Sequence, residues 1–473
     1  MSFGEIVAKV NDAVYSVVGG VPIIVLLFAV GIFCTILSGA VQFRRLGKAL
    51  KVPFEKSGKG KEAGATTPFQ SLCTALASTV GTGNIAGVAG AIAIGGPGAI
   101  FWMWVSALLG MATKYAEVVI SMNYREKNAK GEWVGGPMYA IKNGLGKGWR
   151  WLAYVFAACC ILASLGIGNL SQVNTIALTF SNAVTYFAPA AAEYTTWINL
   201  AIGILCAIFV GLVVVGGLKR LSAVTEKMIP LMSVIYIVGA LIVIGLNYHN
   251  ILPAFGMIFK GAFNPSAVVG GVVGMTIMTT LTKGVGRGIF SNEAGLGSAP
   301  IAHASSSADS PVKQGLHGVF EVFVDTIVIC TLSALLILTS GIAINYGSGA
   351  GAELATAAIT SKLGGTFANV FMPVAVSMFA LSTVFGWSLY GARSIEFLFG
   401  AKYVKFYKIA FSLIVVVGAV TELELVWALS DTFNMMMAIP NLISVLALSG
   451  VIAKLTKDYF AKKKDIPEIP NEK

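Results

Sequence analysis

A glycine-rich polar stretch, residues 77–87, lies within a long apolar segment and contains the residue types most suited to binding chemistry. A helix that unwinds inside lipid leaves N–H and C=O groups that are costly unless a partner binds them. In transporters that partner is commonly a substrate or an ion. Unwinding near residues 81–83 would free N–H groups at the start of a half-helix, which favour a carboxylate. Neutral hydrogen-bonding side chains are added by Thr79, Thr82 and Asn84.

A second stretch, residues 270–276, interrupts a later apolar segment in a similar way. Free carbonyls around Val273 and Gly274 would suit an ammonium group, with the Thr276 hydroxyl nearby. Neither stretch contains an acid or a base, and unpaired charge is costly in a membrane, so the predicted substrate is a neutral zwitterion. The residues expected to line a small pocket are Gly168, Val273 and Met275.

Close helix packing is the alternative interpretation of these glycines, because small residues four apart, such as Gly270 and Gly274, let helices approach each other. Two interruptions at matched positions favour a binding site. In the fourth apolar segment, Gly168 and Gln172 are four residues apart on one helix face. The Gln172 amide could reach the substrate or form an interhelical hydrogen bond instead.

The ninth apolar segment offers ligands for a driving cation. The hydroxyls of Ser382 and Thr383 and a carbonyl at Phe379 would face carbonyls at Ala77 and Val80. About five neutral oxygens suit a small hard cation, and we predict sodium. Bonding of both hydroxyls to their own helix is the alternative.

The composition is that of a polytopic membrane protein. Of 473 residues, 56% are hydrophobic and 12% are charged, and the mean hydropathy is +0.80. Apolar runs repeatedly reach the length that crosses a bilayer. Eleven spans are predicted, near residues 22–43, 67–94, 98–122, 151–182, 195–217, 222–246, 266–283, 315–344, 366–391, 405–420 and 424–453.

Basic residues are concentrated in alternate connections. Segments 44–66 and 123–150 are rich in Lys and Arg, and three later segments, the one around Lys283 and Arg287 among them, and the tail beyond residue 453 follow the same alternation. The positive-inside rule then places the amino terminus outside and the carboxyl terminus in the cytoplasm. The net charge of +11 reflects this topology, not nucleic-acid binding.

The spans divide into two halves of opposite orientation. Residues 67–246 and 247–453 each contain five predicted spans and begin with an interrupted one. They are preceded by an amino-terminal segment with one extra helix and a basic loop, 1–66, and followed by a basic tail, 454–473. The predicted fold is all-α, an inverted five-plus-five repeat with a binding site at mid-membrane.

Charged residues inside the predicted spans are few. Lys114 and Glu117 are expected to neutralise each other. Glu321 and Asp325 could mark an ion or proton path, since intramembrane carboxylates often do. The interpretation we favour is pairing with basic residues near the inner surface: Arg287, Lys313 or His317.

Residues 95–110, GGPGAIFWMWVSALLG, resemble the signature of the sodium:alanine symporter family throughout, and residues 286–304, GRGIFSNEAGLGSAPIAHA, are also similar to that family. The resemblance implies the leucine-transporter fold of the amino acid, polyamine and organocation superfamily. It also implies uptake of alanine and glycine, coupled to sodium or sometimes to protons, across a prokaryotic cell membrane. The substrate roles implied by the resemblance fall on Thr79, Thr82, Gly83 and Asn84, and the sodium roles on Ala77, Val80, Ser382 and Thr383.

Residues 286–304 are interpreted as a cytoplasmic loop in which Arg287 and Glu293 close an inner gate or form a plain salt bridge. The sequence lacks the zinc-protease, nucleophile-elbow and Walker patterns, so an enzyme is not predicted. The expectation is sodium-coupled symport of small neutral amino acids within a lipid bilayer, with sodium as coupling ion, no cofactor and no nucleic-acid partner. The alternative is proton-coupled symport through Glu321 or Asp325.

Overall fold

The computed structural model describes residues 3–55, 64–269, 275–421 and 424–461. Helices make up nearly all of this part of the chain, as predicted. A short antiparallel hairpin joins β1, Glu126–Lys127, to β2, Trp133–Val134, with Glu126 opposite Val134.

The helices up to the middle of the chain are α1 Phe3–Val18, α2 Val21–Leu37, α3 Val41–Arg44, α4 Leu46–Lys51, α5 Pro68–Thr79, α6 Ala86–Gly95, α7 Ala99–Asn123, α8 Pro137–Ala140, α9 Arg150–Leu165, α10 Ser171–Phe187, α11 Thr195–Val214 and α12 Gly217–Leu246. A turn of 3₁₀ helix, Thr82–Asn84, lies between α5 and α6. A π-helical turn, Gly166–Leu170, joins α9 to α10.

The remaining helices are α13 Ile251–Phe263, α14 Pro265–Val269, α15 Ile277–Asn292, α16 Pro300–His303, α17 Pro311–Val322, α18 Thr331–Thr339, α19 Ala352–Leu363, α20 Gly365–Phe399, α21 Val404–Val420, α22 Glu424–Ala447 and α23 Ser449–Phe460. A π-helical segment, Phe323–Cys330, joins α17 to α18.

Within the described residues, eight helical segments are long and apolar enough to cross a membrane, or up to ten if two bent pairs each count as one span. One bent pair is α5 with Thr82–Gly95, which meet at 59°, and the other is Asp431–Ala447 with α23, at 60°. With 16 residues, α15 is too short to be counted among them. The predicted total of eleven spans and the inverted repeat therefore stay predictions.

The structure revises the region predicted as span 266–283 and loop 286–304. The predicted second break, with Val273 and Gly274, lies outside the described residues. The interpretation of 286–304 as a cytoplasmic loop is wrong, because α15 continues to Asn292 and residues 291–306 are buried. The glycines that suggested a loop pack this helix against α7: a β-carbon at Gly284 would lie 2.3 Å from the Ala99 carbonyl oxygen.

Two long helices position the rest of the core. α7 packs against α15 and α17, and α20 packs against α5, α9 and α10. α5 starts with a Thr67–Gln70 capping box and runs up to its closest approach to α20, where a β-carbon at Gly386 would lie 2.7 Å from the Ser78 nitrogen.

The placement of α15 also moves two charges. A β-carbon at Gly95, the last residue of α6, would lie 3.0 Å from the Lys283 Cβ. The broken helix pair α5–α6 begins just after the basic segment 44–66 and ends at Gly95, beside Lys283. Lys283 and Arg287 therefore lie at the opposite end of this pair from segment 44–66 and do not belong to the same set of basic residues. The placement of the other basic segments on one side of the membrane stays a prediction.

Candidate functional site

The first interruption, residues 80–85, separates α5 from α6 and is buried. Gly81 is extended, with φ −135° and ψ −157°, and its N–H donates to Asn84 Oδ1 over 2.8 Å. The Thr82 hydroxyl donates to Gln172 Oε1 over 2.8 Å, and the Thr82 N–H lies 3.4 Å from the same oxygen. Side-chain amides therefore occupy the N–H groups that the sequence assigned to a carboxylate, and a ligand would take their place.

The second interruption, residues 293–299, follows α15 and faces the first. A β-carbon at Gly83 would lie 3.2 Å from Phe290 Cδ1 and 3.6 Å from Ser291 Cα. Glu293 is left-handed, with φ 54°, and Gly295 and Gly297 also have positive φ. The sequence predicted a second interruption that pairs with the first, but it predicted it at residues 270–276. The missed signal is the polar, glycine-bearing run Asn-Glu-Ala-Gly-Leu-Gly-Ser at 292–298.

Met275 and Thr276 lie away from this meeting point. Thr276 caps α15, accepting a hydrogen bond from the Thr279 N–H over 3.1 Å. Met275 lies next to Gly96, since a β-carbon there would be 2.9 Å from the Met275 sulfur. The length of α15, roughly 24 Å at 1.5 Å per residue, separates both from the second interruption. The structure therefore removes them from the predicted pocket.

A small inner cavity lies where the interruptions meet, with a volume of about 10 Å³, enough for a single water molecule. Its walls combine residues predicted from the sequence with others that were not. The lining residues are Ser78, Thr79, Gly81, Gly83, Ile167, Gln172, Phe290, Glu293, Thr383 and Trp387.

Gly168 contributes to this cavity by leaving room. A β-carbon at Gly168 would lie 2.3 Å from the Trp387 Cβ, so only glycine lets the indole take its position at the wall. The predicted site residue thus acts through Trp387, which sequence reasoning did not identify.

A much larger vestibule, about 800 Å³, lies on the other side of Phe290. Gly83 and Phe290 line both the vestibule and the inner cavity. The guanidinium of Arg287 lies 5.5 Å from the centre of the Phe290 ring and also lines the vestibule. Arg287 is therefore placed beside Phe290 and not in the predicted inner gate.

Oxygens from α5 and α20 converge behind Gly81. The Ser382 hydroxyl lies 3.2 Å from the Val80 carbonyl and 2.7 Å from the Phe379 carbonyl, and the Thr383 hydroxyl lies 3.1 Å from the latter. A β-carbon at Gly81 would lie 2.1 Å from Thr383 Oγ1. Ala77, one turn earlier in α5, is fully buried. The hydroxyls bond to their own helix, as in the alternative interpretation, and also face α5, so the neutral oxygens fit a small hard cation.

A second group of oxygens surrounds Asp325, which is fully buried in the π-helical segment. Its carboxylate accepts hydrogen bonds from Asn84 Nδ2 over 2.7 Å and from Ser291 Oγ over 2.8 Å. The Thr326 hydroxyl donates to it over 2.7 Å. The expected pairing of Asp325 with a basic residue near the inner surface is wrong, because its partners are Asn84 of the first interruption, Ser291 of α15 and the neighbouring Thr326.

The buried charges pair differently from the prediction. Lys114 Nζ lies 3.3 Å from Glu321 Oε1, and His303 Nε2 lies 2.9 Å from Glu321 Oε2. Glu117, the expected partner of Lys114, accepts a hydrogen bond from Asn441. These contacts hold α16 and α17 against α7.

At the other end of the site, polar contacts tie the segments together. The Thr66 hydroxyl lies 3.0 Å from Ser305 Oγ. The Arg393 guanidinium pairs with Glu132 of the hairpin over 2.8 Å and with Glu396 over 2.6 Å. Burial raises the pKa of Glu132, but Arg393 and the Asn128 amide together lower it by more than burial raises it. The pKa of Glu132 therefore lies below its ordinary value. The vestibule is thus wide, whereas the opposite end is held closed by hydrogen bonds and ion pairs.

Comparison with known proteins identifies the family and the fold that this chain resembles. The profile of the sodium:alanine symporter family matches residues 3–472. The sodium/alanine symporter AgcS of Methanococcus maripaludis is 43% identical over 464 residues, covering 97% of this chain and 98% of that protein. The probable sodium/glutamine symporter GlnT of Bacillus subtilis is 37% identical over 461 residues, covering 97% and 91%. The crystal structure of MhsT in complex with L-phenylalanine shares the fold, with a TM-score of 0.59 at 14% identity, covering 86% of this chain and 99% of that one.

Proposed function

The chain belongs to the sodium:alanine symporter family, and from that premise we propose that it couples inward movement of sodium to uptake of a small neutral amino acid, alanine or glycine. Family membership makes it a multi-pass membrane transporter of bacterial or archaeal type rather than an enzyme. The observation that carries the proposal is the meeting of two helix interruptions around one buried cavity, since such breaks supply the free main-chain groups that bind substrate and ion.

The first interruption is suited to the substrate carboxylate. The N–H groups of Gly81 and Thr82 are now bonded to the side chains of Asn84 and Gln172. Exchange of a side-chain oxygen for a substrate carboxylate keeps every N–H satisfied and strengthens the bond, because a charged acceptor binds more strongly than a neutral one.

The size of the cavity supports a small substrate. Trp387 fills the space beside Gly168, and the inner cavity has a volume of only about 10 Å³. Binding must therefore widen the cavity by movement of Phe290 or Trp387, and each added methylene demands more movement. Alanine and glycine are the substrates that require the least.

Two oxygen groups support sodium coupling. The neutral group of Val80, Phe379, Ser382 and Thr383 suits a cation without a fixed counter-charge. The group around Asp325 adds a carboxylate next to Asn84 and Ser291. A cation there would touch the first interruption at Asn84 and the end of α15 that leads into the second at Ser291, so its binding would order the substrate site.

Proton coupling is the second candidate, and the surroundings of Asp325 favour keeping it. The hydrogen-bond donors to its carboxylate, from Asn84, Ser291 and Thr326, are neutral. A fully buried carboxylate of this kind can bind a proton in place of a metal cation. Glu321, the other predicted proton carrier, is engaged by Lys114 and is less suited to the role.

Alternating access follows from the asymmetry of the two ends. The vestibule would face outside, and the end tied by Thr66 and Arg393 would face the cytoplasm, with the amino terminus outside and the carboxyl terminus inside. Transport then requires the Phe290 side to close and the contacts at Thr66 and Glu132 to open.

Uptake into proteoliposomes tests the proposal. The purified chain is expected to accumulate labelled alanine when sodium is high outside, and to lose accumulation when potassium replaces sodium at constant pH. Accumulation driven by a pH gradient in sodium-free medium would show that protons, not sodium, are the coupling ion. Absence of alanine and glycine uptake under both gradients would contradict the proposal.

A further inference from the structure

Glu293 holds a backbone conformation that a side chain makes unfavourable. It follows α15 with φ 54° and ψ 19°, in the left-handed region. Among the described residues, the only other non-glycine residue with positive φ is Ala40. The next two positive-φ positions of the second interruption, Gly295 and Gly297, are glycines, as this conformation favours. A glutamate at such a position beside a cavity points to a functional need for its side chain.

The side chain is fixed at the wall of the inner cavity. Its Oε2 accepts a hydrogen bond from Ser298 Oγ, and Trp387 lies on the same cavity wall. Ser298 is a neutral donor, so it orients the carboxyl without balancing its charge. Gly81 and Gly83 of the first interruption line the same cavity.

Cationic side chains near Glu293 are committed elsewhere. Lys114 acts electrostatically on Glu117, Glu293 and Glu321. Its ammonium forms an ion pair with Glu321, at 3.3 Å, and His303 lies on the other oxygen of the same carboxylate, at 2.9 Å. Within the described part of the chain, these three buried carboxylates thus share one lysine. Glu293 is the one that lines the cavity, where a cationic ligand group would stabilise it.

We propose that the Glu293 carboxylate is the counter-ion of the substrate's ammonium group. This inference rests on the proposed function and deepens it. The first interruption supplies N–H groups for the substrate carboxylate, and the second supplies a fixed negative charge for the amine, so the zwitterion has one orientation. The substrate class is small amino acids with a free, protonated amine. Hydroxy acids of the same size and N-acylated amino acids are rejected, because they leave the buried carboxylate unpaired.

Competition between alanine and lactate tests this role, since lactate replaces the amine with a hydroxyl. Alanine binding to the purified full-length protein is measured at saturating sodium, with each compound as competitor. The wild type is expected to prefer alanine by roughly 100-fold, as buried polar groups that lose a charged partner discriminate strongly. In Glu293→Gln, alanine binding should weaken about 30-fold and the preference should fall below about 5-fold. Glu193→Gln, which changes an exposed glutamate in the connection before α11, is the matched control and should behave as wild type.

Glu293→Gly separates binding from folding. Glycine fits the left-handed conformation, so this variant should unfold at the wild-type temperature or higher while losing the preference for alanine. Wild-type preference in either Glu293 variant would overturn the inference and leave the proposed function intact. Failure of the wild type to bind alanine with sodium would overturn the proposed function and this inference with it.

Discussion

The two interruptions meet at one cavity but differ in chemistry. The first, residues 80–85, contains no charged residue and offers main-chain N–H groups bonded by the amides of Asn84 and Gln172. The second, residues 293–299, contains the Glu293 carboxylate and two glycines with positive φ. Their meeting creates a site with an electropositive side and an electronegative side. A zwitterion is the ligand that would satisfy both, so under the proposed function the difference between the interruptions would be the basis of recognition.

The close approach of the first interruption to α20 gives the largest expected effect. Gly81→Ala places a methyl group 2.1 Å from Thr383 Oγ1, so the Thr383 side chain, the first interruption or α20 must shift. Sodium-driven alanine uptake should fall by about 100-fold or more, since a small displacement of binding groups is enough to disable a site.

Gly87→Ala is the control for this prediction, because a β-carbon at Gly87 meets no atom within 4 Å. Uptake assays on both variants in proteoliposomes check the expected contrast. Equal activity of the two variants would show that the geometry behind Gly81 is not required.

The cation group tests whether the first interruption also binds sodium. Ser382→Ala combined with Thr383→Val removes two hydroxyl oxygens next to the Val80 and Phe379 carbonyls. The sodium concentration for half-maximal uptake should rise about 10-fold or more, as each lost ligand weakens binding by about 1 kcal/mol or more.

Ser388→Ala, about one and a half turns further along α20, serves as the control, because its hydroxyl bonds to the Phe385 carbonyl of the same helix. It should leave the sodium dependence unchanged. Unaltered sodium dependence in the double variant would show that sodium binds elsewhere, and the oxygen group around Asp325 would be tested next.

Thr82 gives a smaller effect on substrate binding. Thr82→Val removes the 2.8 Å hydrogen bond to Gln172 Oε1 while keeping the shape of the side chain. In the proposed exchange this hydroxyl turns from Gln172 to the substrate carboxylate, so alanine affinity should fall about 5-fold, in line with the roughly 1 kcal/mol that a hydrogen bond contributes. Binding titrations at saturating sodium measure it. An affinity equal to that of the wild type would remove Thr82 from the site and leave Gln172 as an interhelical contact only.

Substitutions in α15, the helix that precedes the second interruption, give the smallest expected effects, and these are effects on stability. Gly284→Ala places a β-carbon 2.3 Å from the Ala99 carbonyl oxygen and should destabilise the fold by about 1–3 kcal/mol. Gly286→Ala, two residues further along α15, meets open space and should stabilise the helix by about 0.5–1 kcal/mol. Thermal unfolding in detergent distinguishes them. Opposite or equal shifts would show that α15 does not pack on α7 in this register.

The sequence predicted the first interruption and its partners because the signal is local. Glycines and hydroxyls within an apolar run leave few alternatives, and Thr82, Asn84, Gln172 and Thr383 all lie around the cavity or its edge. The second interruption could not be found in the same way. Arg287 and Glu293 made its surroundings resemble a polar loop, and only tertiary packing shows that Gly284 and Gly288 face α7.

Residues that act through contacts between distant segments could not be identified from the sequence either. Trp387 looks like an ordinary aromatic residue of an apolar helix until Gly168 is seen to accommodate it. Asp325 and Glu321 were recognised as unusual, but their partners, Asn84 and Lys114, are more than 200 residues away in the chain. Spacing along one helix carries no information about such pairs.

A structure of the chain with bound alanine and sodium tests most directly whether the two interruptions form one dipolar site. The alanine carboxylate should lie at the N–H groups of Gly81 and Thr82, with the amine directed to the second interruption at Glu293. Alanine held only in the vestibule, or bound with its amine away from residues 293–299, would contradict that site.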